Sequence, residues 1–136
     1  MRNGRRIILD TNIWVSYIIG RKLDEITKLI LDHNLIVFSC NELEEELEEV
    51  LSRDKFTKVL HFKPDFYLNF IRNLTTIISI STNFQGCPDK QDNFLFDLAI
   101  QSQSDFLVTG DKLLLDLKVD NLKVVSFKQF RELFNY

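Results

Sequence analysis

The run Ile7-Ile8-Leu9, cut off by Asp10-Thr11-Asn12, constrains this chain more than any other stretch. Three consecutive large aliphatic residues leave no polar side chain for a wet face, so the run predicts a strand covered on both sides. The change to Asp10 places a carboxylate at the carboxyl end of that strand. In an open parallel sheet this edge is where loops and helix N-termini converge around ligands. Thr11 and Asn12 offer polar groups to the backbone or to the carboxylate, and either can cap a helix begun by Ile13-Trp14-Val15. A polar strand-to-helix turn with a capping Asp accounts for these residues equally well at this point.

The same grammar recurs along the chain. Leu35-Ile36-Val37-Phe38, Thr75 to Ser81, Asp105 to Thr109 and Leu122 to Val125 read as further strands. Between them, apolar residues at helical spacing predict helices over Ile13 to Ile19, Leu23 to His33, Glu42 to about Ser52, Pro64 to Asn73, Asp92 to Gln103 and Lys128 to Phe134. Arg53 to His61 reads as a short helical or irregular bridge. Strands separated by helices imply right-handed crossovers and a parallel sheet with helices on both faces, an α/β fold. A chain of 136 residues fits a single domain, 1-136, that can bury an adequate core without disulfides.

Cys40 and Cys87 form no CxxC pair, and with only two histidines there is no zinc-ligand spacing. Both are expected to be reduced and structural, as in a cytoplasmic protein. The apolar run after Arg5-Arg6 is too short for a signal peptide, and no stretch reads as a membrane span. A net charge of −3 argues against binding nucleic acid by bulk electrostatics. It leaves room for a local basic rim from Lys22, Arg53, Lys55, Lys58, Lys63 and Lys112, although scattered surface charge explains each of these as well.

Four acids stand out by position. Asp111 directly follows the fourth strand and so shares a sheet edge with Asp10 if the two strands are neighbours. Asp92 falls at the start of the helix leading into that strand, where the helix dipole favours negative charge; a capping arrangement with Asp89 is the plainer explanation. Six glutamates crowd positions 42 to 49. At about 100° per residue, Glu46 lies about 40° from Val50 at one boundary of the apolar stripe, and Glu44 flanks the other boundary. Geometry leaves both open. Carboxylates gathered at one edge repel each other unless cations sit among them, and an all-oxygen cluster suits Mg²⁺ or Mn²⁺. Such ions activate water and stabilise in-line phosphoryl displacement, as phosphodiester hydrolysis requires, so the cluster reads as a metal-dependent phosphoryl-transfer site.

The chain resembles PIN-domain proteins, in particular the small bacterial and archaeal toxins of toxin-antitoxin systems. The carrying motifs are Ile-Leu-Asp-Thr-Asn at 8 to 12, Glu-Leu-Glu-Glu-Val-Leu-Ser-Arg at 46 to 53 with Lys55-Phe56, Asp92-Asn93-Phe94-Leu95 with Ala99, and Val108-Thr109-Gly110-Asp111-Lys112. The resemblance implies a three-layer α/β/α sandwich with a five-stranded parallel sheet in the order 3-2-1-4-5. It implies an endoribonuclease dependent on Mg²⁺ or Mn²⁺, with Asp10, Glu46, Asp92 and Asp111 as the metal-site acids. It selects Glu46 over Glu44, and adds polar support from Asn12 and Thr109, a homodimer, an RNA substrate and an antitoxin partner.

Leu113 departs from the pattern, because many relatives carry an acid there. Asp89 and Asp97 are nearby acids that can substitute, with Asp97 expected on a solvated helix face. Trp14, Tyr17 and Ile18 exceed what one buried stripe needs, which suggests a dimer or antitoxin surface, with core packing favoured for Trp14. Two rivals fail on their own chemistry. A haloacid-dehalogenase-type phosphatase needs an Asp where Asn12 stands, and a phosphoacceptor receiver domain needs one after the third strand. The remaining alternative is a non-catalytic PIN-like module that binds RNA or protein.

Overall fold

The computed structural model describes residues 4–134. Ile7, Ile8 and Leu9 are fully buried, as a strand without a polar face must be, and they end β1 (Arg5–Leu9). The other strands are β2 (Leu35–Ser39), β3 (Thr76–Ile77), β4 (Phe106–Val108) and β5 (Lys123–Val125). All pair in parallel, in the order β3-β2-β1-β4-β5. The order reverses at β1, whose Ile7 lies beside Val37 on one side and Phe106 on the other. This reversal opens the crevice at the carboxyl edge where Asp10 emerges.

The helices are α1 (Thr11–Ile19), α2 (Leu23–Asp32), α3 (Asn41–Leu51), α4 (Asp54–Thr57), α5 (Pro64–Leu74), α6 (Asn93–Gln101), α7 (Lys112–Leu115) and α8 (Phe127–Leu133). Right-handed crossovers put the helices joining β1, β2 and β3 on one face and α6 on the other, giving the three-layer sandwich. Trp14, Tyr17 and Ile18 are all buried. The surface expected at Tyr17 and Ile18 is therefore not one, because α8 returns over α1 and Phe127 meets the Tyr17 ring edge-on at 5.3 Å. None of the helices formed by the described residues is long and apolar enough to cross a membrane.

The third strand is much shorter than its β-branched composition predicts. Only Thr76 and Ile77 join the ladder with β2, and both are exposed. Further on, α6 supplies the missing partners with its side chains. Gln101 exchanges two hydrogen bonds with the backbone of Ser81, at 2.7 and 2.8 Å. Asp97 Oδ1 accepts the N–H groups of Asn83 and Phe84, at 3.0 and 2.8 Å. Asp97 is thus not the solvated residue the helical spacing suggests: it is buried and ties a loop to the helix. Cys40 and Cys87 are buried free thiols, and burial pushes each up to about 11, which keeps them protonated and unreactive.

Candidate functional site

Asp10 follows β1 directly and remains in the sheet ladder, its N–H donating to Val108 O at 2.9 Å. Both carboxylate oxygens are held. Oδ1 accepts from Thr11 N at 2.7 Å, so Asp10 itself caps α1, and Oδ2 accepts from Thr109 Oγ1 at 2.7 Å. Thr109, fully buried one residue past β4, also accepts from Asp111 N at 3.1 Å through the same hydroxyl. One threonine therefore joins the acids that end two neighbouring strands. Asp111 caps α7, its Oδ1 taking Leu113 N at 2.9 Å.

Two further acids face this edge from helices. The polar boundary of α3 brings Glu46 to it, and Asp92 arrives at the end of a 3-10 turn, Lys90–Asp92, that precedes α6. The capping expected of Asp92 is done by Asp89, which accepts from Gln91 N at 3.0 Å, so Asp92 makes no capping bond of its own. Asp10, Glu46, Asp92 and Asp111 line one cleft of about 850 Å³, together with Asn12, Asp89 and Arg53. The Asn12 side chain lies beside Gly110, without a hydrogen bond among the described residues. Glu44 is elsewhere: buried, it pairs with Arg72 of α5, Nε to Oε2 at 3.1 Å. The ambiguity between the two glutamates is thus resolved by a cation 28 residues away in sequence.

Electrostatics at the cleft are set by burial and repulsion. Desolvation, then Asp10 and Asp92, push Glu46 up to about 7, against a lowering influence from the neighbouring Thr11 side chain. Desolvation, then Asp10, Asp89 and Asp111, push Asp92 up to about 6. Asp10 is also raised, chiefly by burial, against the lowering effect of its bonds from Thr109 and Thr11. Arg53 is the sole cationic residue on the cleft wall among the described residues, and it leans on Glu49 at 3.5 Å. The Thr11 hydroxyl, expected to bond the backbone or the carboxylate, does neither: it is buried near Glu46 with no partner at hydrogen-bonding geometry. An all-oxygen donor set with a surplus of negative charge and an orphaned buried hydroxyl fits a hard divalent cation. Among the described residues, however, no three of these side chains come close enough together to hold one ion as they stand. Of the basic rim, only Arg53 borders the cleft; Lys22 lies against a separate small pocket beside Phe127.

Residues 6–113 match the family model described as PIN domain. The uncharacterized protein MJ1680 of Methanocaldococcus jannaschii is 27% identical over 146 aligned positions, spanning 95% of this chain and 91% of its own length. Among solved structures, VapBC2 from Rickettsia felis, bound to a DNA fragment from their promoter, superposes with a TM-score of 0.62 at 18% identity. It covers 90% of this chain and 98% of that one. The PIN domain endonuclease Utp24 superposes with a TM-score of 0.54 at 17% identity, over 89% of this chain and 84% of that one.

Proposed function

Because this chain belongs to the PIN domain family, we propose that it is a metal-dependent endoribonuclease that hydrolyses RNA phosphodiester bonds, and that it serves as a cytoplasmic toxin paired with an antitoxin. The observation that carries the enzymatic reading is the meeting of Asp10, Glu46, Asp92 and Asp111 on one cleft, with at least three of them raised by burial and mutual repulsion. Nuclease activity is the general property of the family. The toxin role and the antitoxin partner are suggested by the shared fold with VapBC2, and a homodimer is proposed from the resemblance of the sequence to the family alone.

In this reading the four carboxylates hold Mg²⁺ or Mn²⁺. The bound ion supplies a Lewis acid and lowers the pKa of a coordinated water, as in-line hydrolysis requires. The chain's own groups do the positioning. Thr109 Oγ1 and Thr11 N fix both oxygens of Asp10, leaving each a lone pair for a ligand. Thr109 sets the distance from Asp10 to Asp111 through its bond from Asp111 N. Glu46 is partly protonated near neutrality and gives up its proton when positive charge arrives, whereas Asp92 is already largely ionised there. Arg53 at the wall offers a guanidinium to a phosphate.

The test is cleavage of a mixed pool of single-stranded and folded RNAs with Mn²⁺ and with Mg²⁺, comparing the intact protein with Asp92→Asn. Metal-dependent cutting that disappears in the variant supports the reading, and the fragment ends define the specificity. An intact protein that neither cuts nor binds Mn²⁺ moves the assignment to a non-catalytic PIN-like module.

A further inference from the structure

The bridge between α3 and α5 carries four cations and one acid in the eleven positions from 53 to 63, in a chain whose net charge is −3. The preceding helix carries six glutamates over positions 42 to 49, so the helix and the bridge that follows it have opposite charge. Lys58 and Lys63 form no ion pair among the described residues. Aromatic rings are interleaved with these cations. Phe56 borders the acidic cleft beside Arg53, and Lys55 Nζ lies 4.9 Å from its ring centre. Further along, Phe62 and Phe66 stack on each other with centroids 4.2 Å apart, yet they remain 54% and 47% exposed.

Two large rings left half in water lose stabilisation that packing would provide, and their stacked pairing holds them as a rigid platform. Leu60, packed against the core, anchors the bridge, and the bonds of Val59 and Leu60 to Phe56 O continue the turn of α4 through it. The platform is therefore held by the fold. We propose that residues 53–66 form a track for single-stranded RNA, leading out of the cleft, in which the lysines meet the phosphates and unpaired bases stack on Phe62 and Phe66. Cations interleaved with exposed rings are the composition that non-paired nucleic acid requires, because every base has a stacking face whereas a duplex hides its own. Phe66 also borders a groove against α2 with Leu23, Asp24, Leu31 and Asp32, so a protein contact for the same rings is kept as an outcome of the measurement below. The track rests on the nuclease reading for its direction, but its binding can be measured without cutting.

The measurement is fluorescence anisotropy of a labelled uridine-rich RNA oligonucleotide in Ca²⁺ buffer, against the same strand annealed to its complement. Phe62→Ala combined with Phe66→Ala is expected to weaken single-strand binding about ten-fold or more, with little change for duplex. Lys58→Ala combined with Lys63→Ala is expected to lower the slope of log affinity against log salt by about 1.4, roughly 0.7 for each phosphate left without its lysine. Melting curves and circular dichroism establish that each variant is folded; the lysine variant is expected to melt like the parent, and the Phe variant, which loses two half-buried stacked rings, to melt lower while still folding. Unchanged RNA affinity in the two folded variants overturns the track, as does duplex binding equal to single-strand binding. A Phe variant that keeps its RNA affinity but loses self-association assigns the rings to a protein contact instead. Cleavage by the intact protein with unaffected binding in the variants leaves the nuclease reading standing and removes the track. Weakened binding in the variants of a protein that never cuts leaves the track and removes the nuclease.

Discussion

Thr109 occupies the junction of the site, since one hydroxyl donates to Asp10 and accepts from the backbone of Asp111. Thr109→Val conserves shape and deletes both bonds, so it is expected to cost about 1.5–3 kcal/mol, the range for hydrogen bonds to charged groups. Urea unfolding checks the stability loss, and isothermal titration with Mn²⁺ checks a parallel drop in metal affinity. The raised carboxyls give a second expectation. Glu46 titrates at about 7 and Asp92 at about 6 when folded, against ordinary values of 4.5 and 3.8. Between these values the native state binds more protons than the unfolded chain, so stability is greatest on the acid side and falls as pH rises from 3.8 to about 7. Thermal melts in chelator are expected to show this slope, and Glu46→Gln is expected to flatten it. Asp10 and Asp111 were legible because each ends an apolar run. Glu46 was not separable from Glu44 on the helical wheel, because what removes Glu44 from contention is its pairing with Arg72, a contact between elements.

At the scale of elements, α6 does more than fill one layer. Asp97 and Gln101 take over the hydrogen bonds that a longer β3 would have supplied, and they hold the extended chain from Ser81 to Phe84. Asp97→Ala removes a buried acceptor from two N–H groups and is expected to cost about 2–3 kcal/mol, whereas Asp97→Asn, which keeps one carbonyl oxygen, is expected to lose less. Gln101→Ala, at the surface, is expected to cost about 1 kcal/mol. Chemical denaturation of the three variants ranks them. The strands buried on both faces were readable from short aliphatic runs, and α3 and α5 from their spacing. The short β3 was not, because side-chain bonds reaching 13 to 20 positions back leave no period in the sequence. The apolar excess of α1 was visible, but its cover by α8 depends on a return of the chain from more than a hundred positions away.

Over the whole molecule, the cleft concentrates negative charge that folding alone leaves uncompensated. Mn²⁺ at about a hundred times its dissociation constant is expected to add about 2.7 kcal/mol of stability, seen as a rise in melting temperature that chelator reverses. Asp92→Asn is expected to shrink that rise and, in chelator at pH 8, to melt above the parent because one repelling charge is gone. The fold class was legible from the alternation of strand and helix, while the strand order came from family resemblance and the pairings in the structure agree with it. The insertion of β4 beside β1 also has a temporal consequence. Asp10 leaves the ribosome 99 positions before the threonine that fixes it. A nascent chain therefore exposes Asp10 and Glu46 well before Thr109 and Asp111, and the cleft cannot assemble until the later pair has cleared the exit tunnel. On the nuclease reading proposed above, that delay would keep the cleft unformed while the earlier part of its own message is being read.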